Sequence, residues 1–230
     1  MRRFTNRTEA GRELATMLRS YANRPDVVVL GLPRGGVPVA FEVAAALHAP
    51  LDVFTVRKIA VPDNEEYALG AIATGGVVSV DWAFAAALRV SDETLGALIA
   101  RERSELERRE QLYRGDRPLP RLEGRTVIVA DDGLATGATM YAAVTSLGTL
   151  HPARVVVATP IASREAEATL HTVADAVVCA CLPVQLHSVG QWYEDFSQTT
   201  DQEVLRLLSR AAHAAKPAAR EDAVAGAWYA

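Results

Sequence analysis

The chain has 230 residues, half of them hydrophobic, and a formal net charge of −4. That length fits one domain, or one domain with a small appendage, and is enough to bury a sizeable core. No apolar run is long enough to span a bilayer, no basic face marks a nucleic-acid binder, and the polar helical pattern after residues 1–6 is not that of a signal peptide, so a cytoplasmic protein is the default expectation.

Asn6, followed three residues later by Glu9, reads as a capping box. Ala10, Leu14, Met17, Leu18 and Tyr21 then form one apolar stripe at helical spacing, which predicts an opening amphipathic helix that ends before Pro25. Residues 27–30 (Val-Val-Val-Leu) predict a first strand, and the turn Gly31-Leu32-Pro33-Arg34-Gly35-Gly36 follows it directly. Val39, Val43, Ala46 and Leu47 turn the pattern helical. Strand, glycine-rich turn and helix together place backbone N–H groups beside an anion, and Arg34 among the glycines strengthens that expectation over a plain tight turn. The spacing is not G-x-G-x-x-G, so a dinucleotide fingerprint is not supported.

Residues 51–56 read as a second strand with Arg57-Lys58 at its end. Ligands of open α/β sheets bind beyond the carboxyl ends of the strands, so Arg34 and Lys58 are expected on one rim. Lys58 is favoured over Arg57 because adjacent strand residues point opposite ways. It is also one of only two lysines, the other being Lys216 in an Ala-rich tail. Residues 62–66 form a polar loop. Residues 68–80, with Gly75-Gly76 as the turn, predict a hairpin that either closes over a substrate or simply connects.

Ser91 caps a long helix running to about Tyr113, followed by Pro118 and Pro120. Its mixed charges over 101–110, with Glu105 and Arg109 at i,i+4, read as a solvated, salt-bridged face.

The stretch 127–139 organises the rest. Val127-Ile128-Val129-Ala130 has the continuous apolarity of a buried parallel strand. Asp131 and Asp132 stand where that strand emerges. Gly133-Leu134-Ala135-Thr136-Gly137-Ala138-Thr139 then opens into a helix carrying Tyr141, Val144 and Leu147. Acids ahead of a Gly/Thr loop at a helix N-terminus suit a phosphorylated sugar: the loop N–H groups hold the phosphate, and the carboxylates reach hydroxyls or a metal. A strand over 155–158, a helix over 163–171 and a strand over 176–182 follow. Cys179 and Cys181 share one face of the last strand, lack disulfide and zinc spacing, and read as buried reduced thiols. After the loop 187–196, Thr200 and Glu203 make a second capping box for a helix carrying Val204, Leu205 and Leu208. Residues 214–230 lack periodicity and are expected to be disordered. Apolar strands alternating with helices predict an α/β fold with a doubly wound, mainly parallel sheet in a single domain over 1–213.

The 127–139 stretch resembles the phosphoribosyl-pyrophosphate signature of type I phosphoribosyltransferases: apolar strand, two acids, then Thr-Gly-x-Thr. Leu32-Pro33-Arg34-Gly35-Gly36 lies where that family has its pyrophosphate loop, and Arg57-Lys58 is a third element in the right order. From about Phe4 to Leu208 the chain looks like bacterial phosphoribosyltransferases of undefined substrate.

The resemblance implies Mg²⁺-dependent transfer of a phosphoribosyl group to a nitrogenous acceptor, with release of pyrophosphate. It implies a small hood built from the termini and 183–200, and a hairpin serving as a flexible-loop insertion. Asp131 and Asp132 would contact ribose hydroxyls directly or through Mg²⁺. Ala135, Thr136, Gly137, Ala138 and Thr139 would wrap the 5′-phosphate, and Gly133 would belong to the substrate-binding residues. Leu32, Pro33, Gly35 and Gly36 would hold the pyrophosphate, in that family often with a non-proline cis peptide. Arg34 and Lys58, with Arg57 beside them, would offset the leaving-group charge. In the hood, Trp192 or Tyr193 would stack on a base and Glu194 or Asp195 would reach Mg²⁺, unless these residues only pack the hood onto the sheet. Ala135 stands where hypoxanthine-guanine enzymes carry an aspartate that acts on the purine ring, so that subgroup's role is not implied. No nucleic-acid or membrane partner is expected, and a homodimer is compatible with the resemblance. A sensor that binds phosphoribosyl pyrophosphate or nucleotides without turnover, and a hydrolase in which water replaces the acceptor, remain as alternatives.

Overall fold

Continuous runs of β-branched residues can be buried on both faces only inside a layered α/β sandwich. In the computed structural model, which describes residues 3–62 and 64–214, the apolar runs do pair in that way. The strands β1 (Val27–Gly31), β2 (Leu51–Val53), β6 (Thr126–Ala130), β7 (Arg154–Ile161) and β8 (Ala176–Cys181) form a parallel sheet in the order β2-β1-β6-β7-β8. Alternation divides each strand between two cores. Val28, Leu30, Val127, Val129, Val155 and Val157 face helices α5 (Ala138–Gly148) and α6 (Arg164–Leu170). Val27, Val29, Ile128, Ala130, Val156 and Ala158 face α1 (Arg7–Met17) and α2 (Gly36–Leu47). Each fully buried aliphatic side chain contributes roughly 1.5–3 kcal/mol of transfer free energy, which makes these two cores the main source of stability.

The expected start of the chain holds: the Asn6 side chain accepts from the Glu9 N–H at 3.0 Å and caps α1. Ser91 likewise caps the long helix α4 (Asp92–Arg114), and Thr200 caps α7 (Asp201–Ala214). The expected disordered tail lies outside the described residues beyond Ala214, as does Asp63 in the polar loop. Cys179 and Cys181 are half-buried thiols outside any disulfide, and burial pushes the Cys179 thiol up to about 11. Among the described residues no helix is long and apolar enough to cross a membrane.

The predicted strand over 51–56 is two strands in two sheets. β2 stops at Val53, and β3 (Val56–Val61) pairs antiparallel with β4 (Asn64–Ala73), which pairs in turn with β5 (Val77–Val80). Two buried polar residues make the break. Asp52 meets Arg114 of α4, whose Nη2 also donates to the Val53 carbonyl at 2.8 Å, and the Thr55 N–H turns to the Thr74 hydroxyl. A six-residue helix, α3 (Trp82–Ala87), also escaped the sequence reading; Asp81 caps it through the Phe84 N–H.

The split corrects the placement of Arg57 and Lys58. They lie inside β3, opposite Ile72 and Ala71, rather than at the end of a parallel strand. Arg57 turns to α4, where Nη2 meets Glu102 Oε2 at 2.7 Å, and Arg101 holds the other oxygen of the same carboxylate. So the helix face read as solvated carries one carboxylate only 6% exposed, while Glu105 pairs with Arg108 and Arg109 at the surface. The expected contact of Arg57 with substrate gives way to this ion pair. Glu102→Ala is expected to destabilise the fold by about 2–3 kcal/mol, short of a fully buried pair because Arg57 keeps some water. Urea unfolding measures the loss. Turnover per folded molecule should be unchanged, and a fall there would return Arg57 to the site.

Candidate active site

The turn after β1 and the acids after β6 touch because their parent strands are neighbours in register: Leu30 lies beside Val129 and Gly31 beside Ala130. The Leu32 N–H donates to the Ala130 carbonyl at 2.9 Å, and the peptide between Pro33 and Arg34 is cis. Gly35 has ordinary right-handed helical angles, so its lack of a side chain serves space rather than backbone freedom. A Cβ there would stand 2.1 Å from Asp132 Oδ2, and one on Gly36 would stand 2.6 Å from the Ala130 carbonyl. Leu32, Gly35 and Gly36 are thus packed against the base of the acid pair, with Pro33 in the turn between them.

Asp131 and Asp132 are part-buried side by side, and Asp131 Oδ1 accepts from the Asp132 N–H at 2.8 Å. Burial raises the Asp131 carboxyl well above its ordinary range, and the neighbouring Asp132 charge raises it further. Burial also raises Asp132, opposed by the Arg7 guanidinium, whose Nε donates to Oδ2 at 2.7 Å. Two desolvated carboxylates answered by one guanidinium suit a hard cation, so the donor set fits Mg²⁺. Two protein carboxylates are too few for an all-protein cage, and among the described residues no group of three His, Cys, Asp or Glu side chains gathers anywhere. Such an ion would take its other ligands from substrate and water.

Past Gly133 and the buried Leu134, the loop residues Ala135, Thr136, Ala138 and Thr139 are exposed at the start of α5. Gly137 has φ +72°, a left-handed conformation that glycine adopts without penalty. The N–H groups of the first turn of α5, of which that of Ala138 donates to the Thr136 hydroxyl at 3.4 Å, and the helix dipole can together seat an anion. Ala138 and Thr139 share a cleft of about 370 Å³ with Lys58, lined also by Val56, Gly70 and Tyr141. The antiparallel sheet therefore brings Lys58 to the phosphate loop even though Lys58 does not end a parallel strand. Arg34 leans toward α7, with Nη1 4.0 Å from Asp201, the carboxylate that also accepts from the Tyr113 hydroxyl. Burial, with that hydrogen bond, pushes Tyr113 up to about 12.

The loop over 189–196 is stitched to the N-terminus. The Phe4 N–H donates to the Trp192 carbonyl, and the Glu194 and Asp195 N–H groups donate to the Phe4 and Thr5 carbonyls. Two expected ligands fail here. Trp192 is 6% exposed and packs among Phe4, Ala10, Ile161 and Tyr193, so its ring is not offered to a base. Asp195 is exposed and turns onto its own loop, accepting from the Ser197 N–H at 2.9 Å, and so adds no third ligand to the acid pair. Tyr193 is also buried; its hydroxyl donates to the Asp132 carbonyl at 2.6 Å.

Arg7 was missed. A local signal existed: Arg7 is the first residue of α1, where the helix dipole disfavours a cation, so its presence called for a carboxylate partner.

A sequence model of the phosphoribosyl transferase domain matches residues 4–196. Two Mycobacterium tuberculosis proteins, from strains CDC 1551 / Oshkosh and ATCC 25618 / H37Rv, each named "Putative phosphoribosyl transferase", are 43% identical over 212 residues, which are 92% of this chain. The match takes in 47% of each of those proteins, so the chain spans about half the length of the curated relatives it matches. The crystal structure of TT1426 from Thermus thermophilus superimposes with a TM-score of 0.80 at 44% identity, covering 91% of this chain and 99% of that one. With the acid pair, the glycine turn and the phosphate loop on one rim of the sheet, these matches establish that the chain belongs to the phosphoribosyltransferase family.

Proposed function

We propose that the protein transfers a phosphoribosyl group from phosphoribosyl pyrophosphate to a nitrogenous acceptor, in the presence of Mg²⁺, and releases pyrophosphate. The observation that carries this reading is the contact of Gly35 with Asp132, which sets a pyrophosphate-type turn against two acids beside an open phosphate loop. In the reaction a nitrogen lone pair of the acceptor attacks C1 of the ribose. The C1–O bond breaks, and its electrons leave with pyrophosphate through a transition state of oxocarbenium character.

No protein nucleophile is needed. The N–H groups at the start of α5, with Thr136 and Thr139, hold the 5′-phosphate. Asp131 and Asp132 hold the ribose hydroxyls and would hold Mg²⁺. When bound, the ion would supply charge neutralisation at the departing pyrophosphate. Lys58, Arg34 and the N–H groups of the 32–36 turn add to that neutralisation, and developing negative charge is where preorganised donors lower a barrier most. Tyr193 fixes the backbone of the acid pair, its hydroxyl donating to the Asp132 carbonyl.

The test is pyrophosphate release from phosphoribosyl pyrophosphate and Mg²⁺ with a panel of nitrogenous bases. Release that depends on one base supports transfer. Binding of the donor with no release on any acceptor would replace the reading with a sensor, and release without any base would make the protein a hydrolase.

A further inference from the structure

Arg7 lies 125 positions before Asp132 and belongs to none of the three motifs that mark the site, yet it touches the acid pair directly. Its side chain is 12% exposed and that of Asp132 15%. The guanidinium faces three partners. Nε donates to Asp132 Oδ2 at 2.7 Å, Nη1 donates to the Ser197 carbonyl at 2.7 Å, and the Phe196 ring centroid is 3.9 Å away. Phe196 is stacked on Tyr193 with centroids 5.0 Å apart, and the Tyr193 hydroxyl donates to the backbone carbonyl of Asp132. Gly35 approaches Oδ2 so closely that a Cβ there would stand 2.1 Å from it.

We propose that Arg7 is a positioning residue for the donor site: it fixes the Asp132 carboxylate through Oδ2, so that Oδ1 is presented to the ribose hydroxyl or to Mg²⁺. Asp132 has two carboxylate oxygens and needs one for ligand. A carboxylate on a loop rotates about its side-chain bonds, and each rotamer that turns both oxygens from the ligand weakens binding. Arg7 binds Oδ2, the backbone of Gly35 passes close to the same oxygen, and Tyr193 fixes the backbone from which the side chain springs. An arginine suits this place because a planar fork can serve a carboxylate and a carbonyl at once while stacking on a ring. The position is otherwise unfavourable, at the positive end of α1, and the carboxylate offsets that cost.

The proposal rests on the phosphoribosyl-transfer reading, and calorimetry of phosphoribosyl pyrophosphate with Mg²⁺ separates the two. Four proteins are compared: wild type, Arg7→Gln, Arg7→Lys, and Arg12→Gln, whose arginine makes an exposed pair with Glu42 farther along the same helix. Arg7→Gln should weaken donor binding about tenfold, the equivalent of one charge-assisted hydrogen bond. Arg7→Lys returns a cation to Oδ2 without the fork and should recover to within about threefold of wild type. Arg12→Gln should bind as wild type does. Thermal melts of the same samples establish that each variant is folded.

Donor affinity unchanged in Arg7→Gln overturns the proposal while leaving the function intact. Equal losses in Arg7→Gln and Arg7→Lys also overturn it, because they would make Arg7 a packing residue of the 193–197 segment. A wild-type protein that binds no donor overturns the functional reading, and the role of Arg7 falls with it.

Discussion

Replacing Asp131 with asparagine is expected to lower turnover by about 10²–10³-fold while raising the thermal unfolding midpoint at neutral pH. The two effects have one cause. Asp131 is held in the desolvated surroundings of the acid pair beside a second carboxylate, so its ionised form is disfavoured in the folded, unliganded protein. A ligand with hydroxyls and a cation needs that charge; the empty fold does not. Asparagine keeps the oxygen that accepts from the Asp132 N–H and removes the charge.

The sign with pH follows from linkage. The folded state raises this carboxyl above its unfolded value of about 3.8, so the folded state binds the proton more tightly. The stabilisation is fully present below the unfolded value and is lost as pH rises through the raised, folded one. The unliganded wild type should therefore be more stable at a pH below the raised, folded value than at a pH above it, and Asp131→Asn should gain less. Urea midpoints at the two pH values measure this, and wild-type turnover in the variant would remove Asp131 from the site. Asp132→Asn makes the contrast: burial raises this carboxyl too, but the Arg7 guanidinium opposes that and would be left without its carboxylate, so turnover should fall while the gain in stability is smaller than for Asp131→Asn.

Gly35→Ala is the second large effect, and one methyl group causes it. The backbone at Gly35 has φ −60° and ψ −33°, which alanine adopts freely, so any loss comes from space alone. The added carbon would stand 2.1 Å from Asp132 Oδ2 and 2.7 Å from its Cγ. Either the carboxylate leaves Arg7 or the 32–36 turn lifts off the sheet. A displacement of about 1 Å at a catalytic group costs roughly 10²-fold in rate, and overpacking costs about 1–3 kcal/mol in stability. Turnover and urea unfolding of the same preparation report both. Gly96→Ala is the control: nothing lies within 4 Å of that Cβ, and alanine in the second turn of α4 should add about 0.5–1 kcal/mol without touching turnover. An active Gly35→Ala protein would break the link between the turn and the acids on which the functional reading stands.

The elements that read correctly from the chain are those whose causes are local. A run such as Val127-Ile128-Val129-Ala130 can only be a buried strand in a sheet covered on both faces, and it is buried throughout. Asn6, Ser91 and Thr200 announce helix starts because a cap binds an N–H two or three residues away. The acids and the Thr-Gly loop sit within one strand-to-helix turn, so their order is itself a geometry.

What misled was equally physical. Residues 51–56 are mostly apolar or β-branched across the point where the chain changes sheets, and strand propensity says nothing about which neighbour a strand will find. Only the partners of Asp52 and Thr55, on Arg114 and Thr74, decide that the run breaks. Trp192 looked like a stacking platform because an aromatic side chain serves a ligand or a core equally well. The contact with Phe4, far away in sequence, decided for the core.

By itself, then, the sequence determined the strands, the caps and the strand-to-helix turn that carries the acids and the 135–139 loop, because each rests on a local pattern or on bonds spanning a few residues. The tertiary structure alone decided that Lys58 shares a cleft with Ala138 and Thr139, that Arg57 belongs to Glu102, and that Arg7 holds the carboxylate of Asp132 while Tyr193 holds its backbone carbonyl. Those contacts join residues 45 to 125 positions apart or meet across two sheets, and their energy exists only after the whole sandwich has closed.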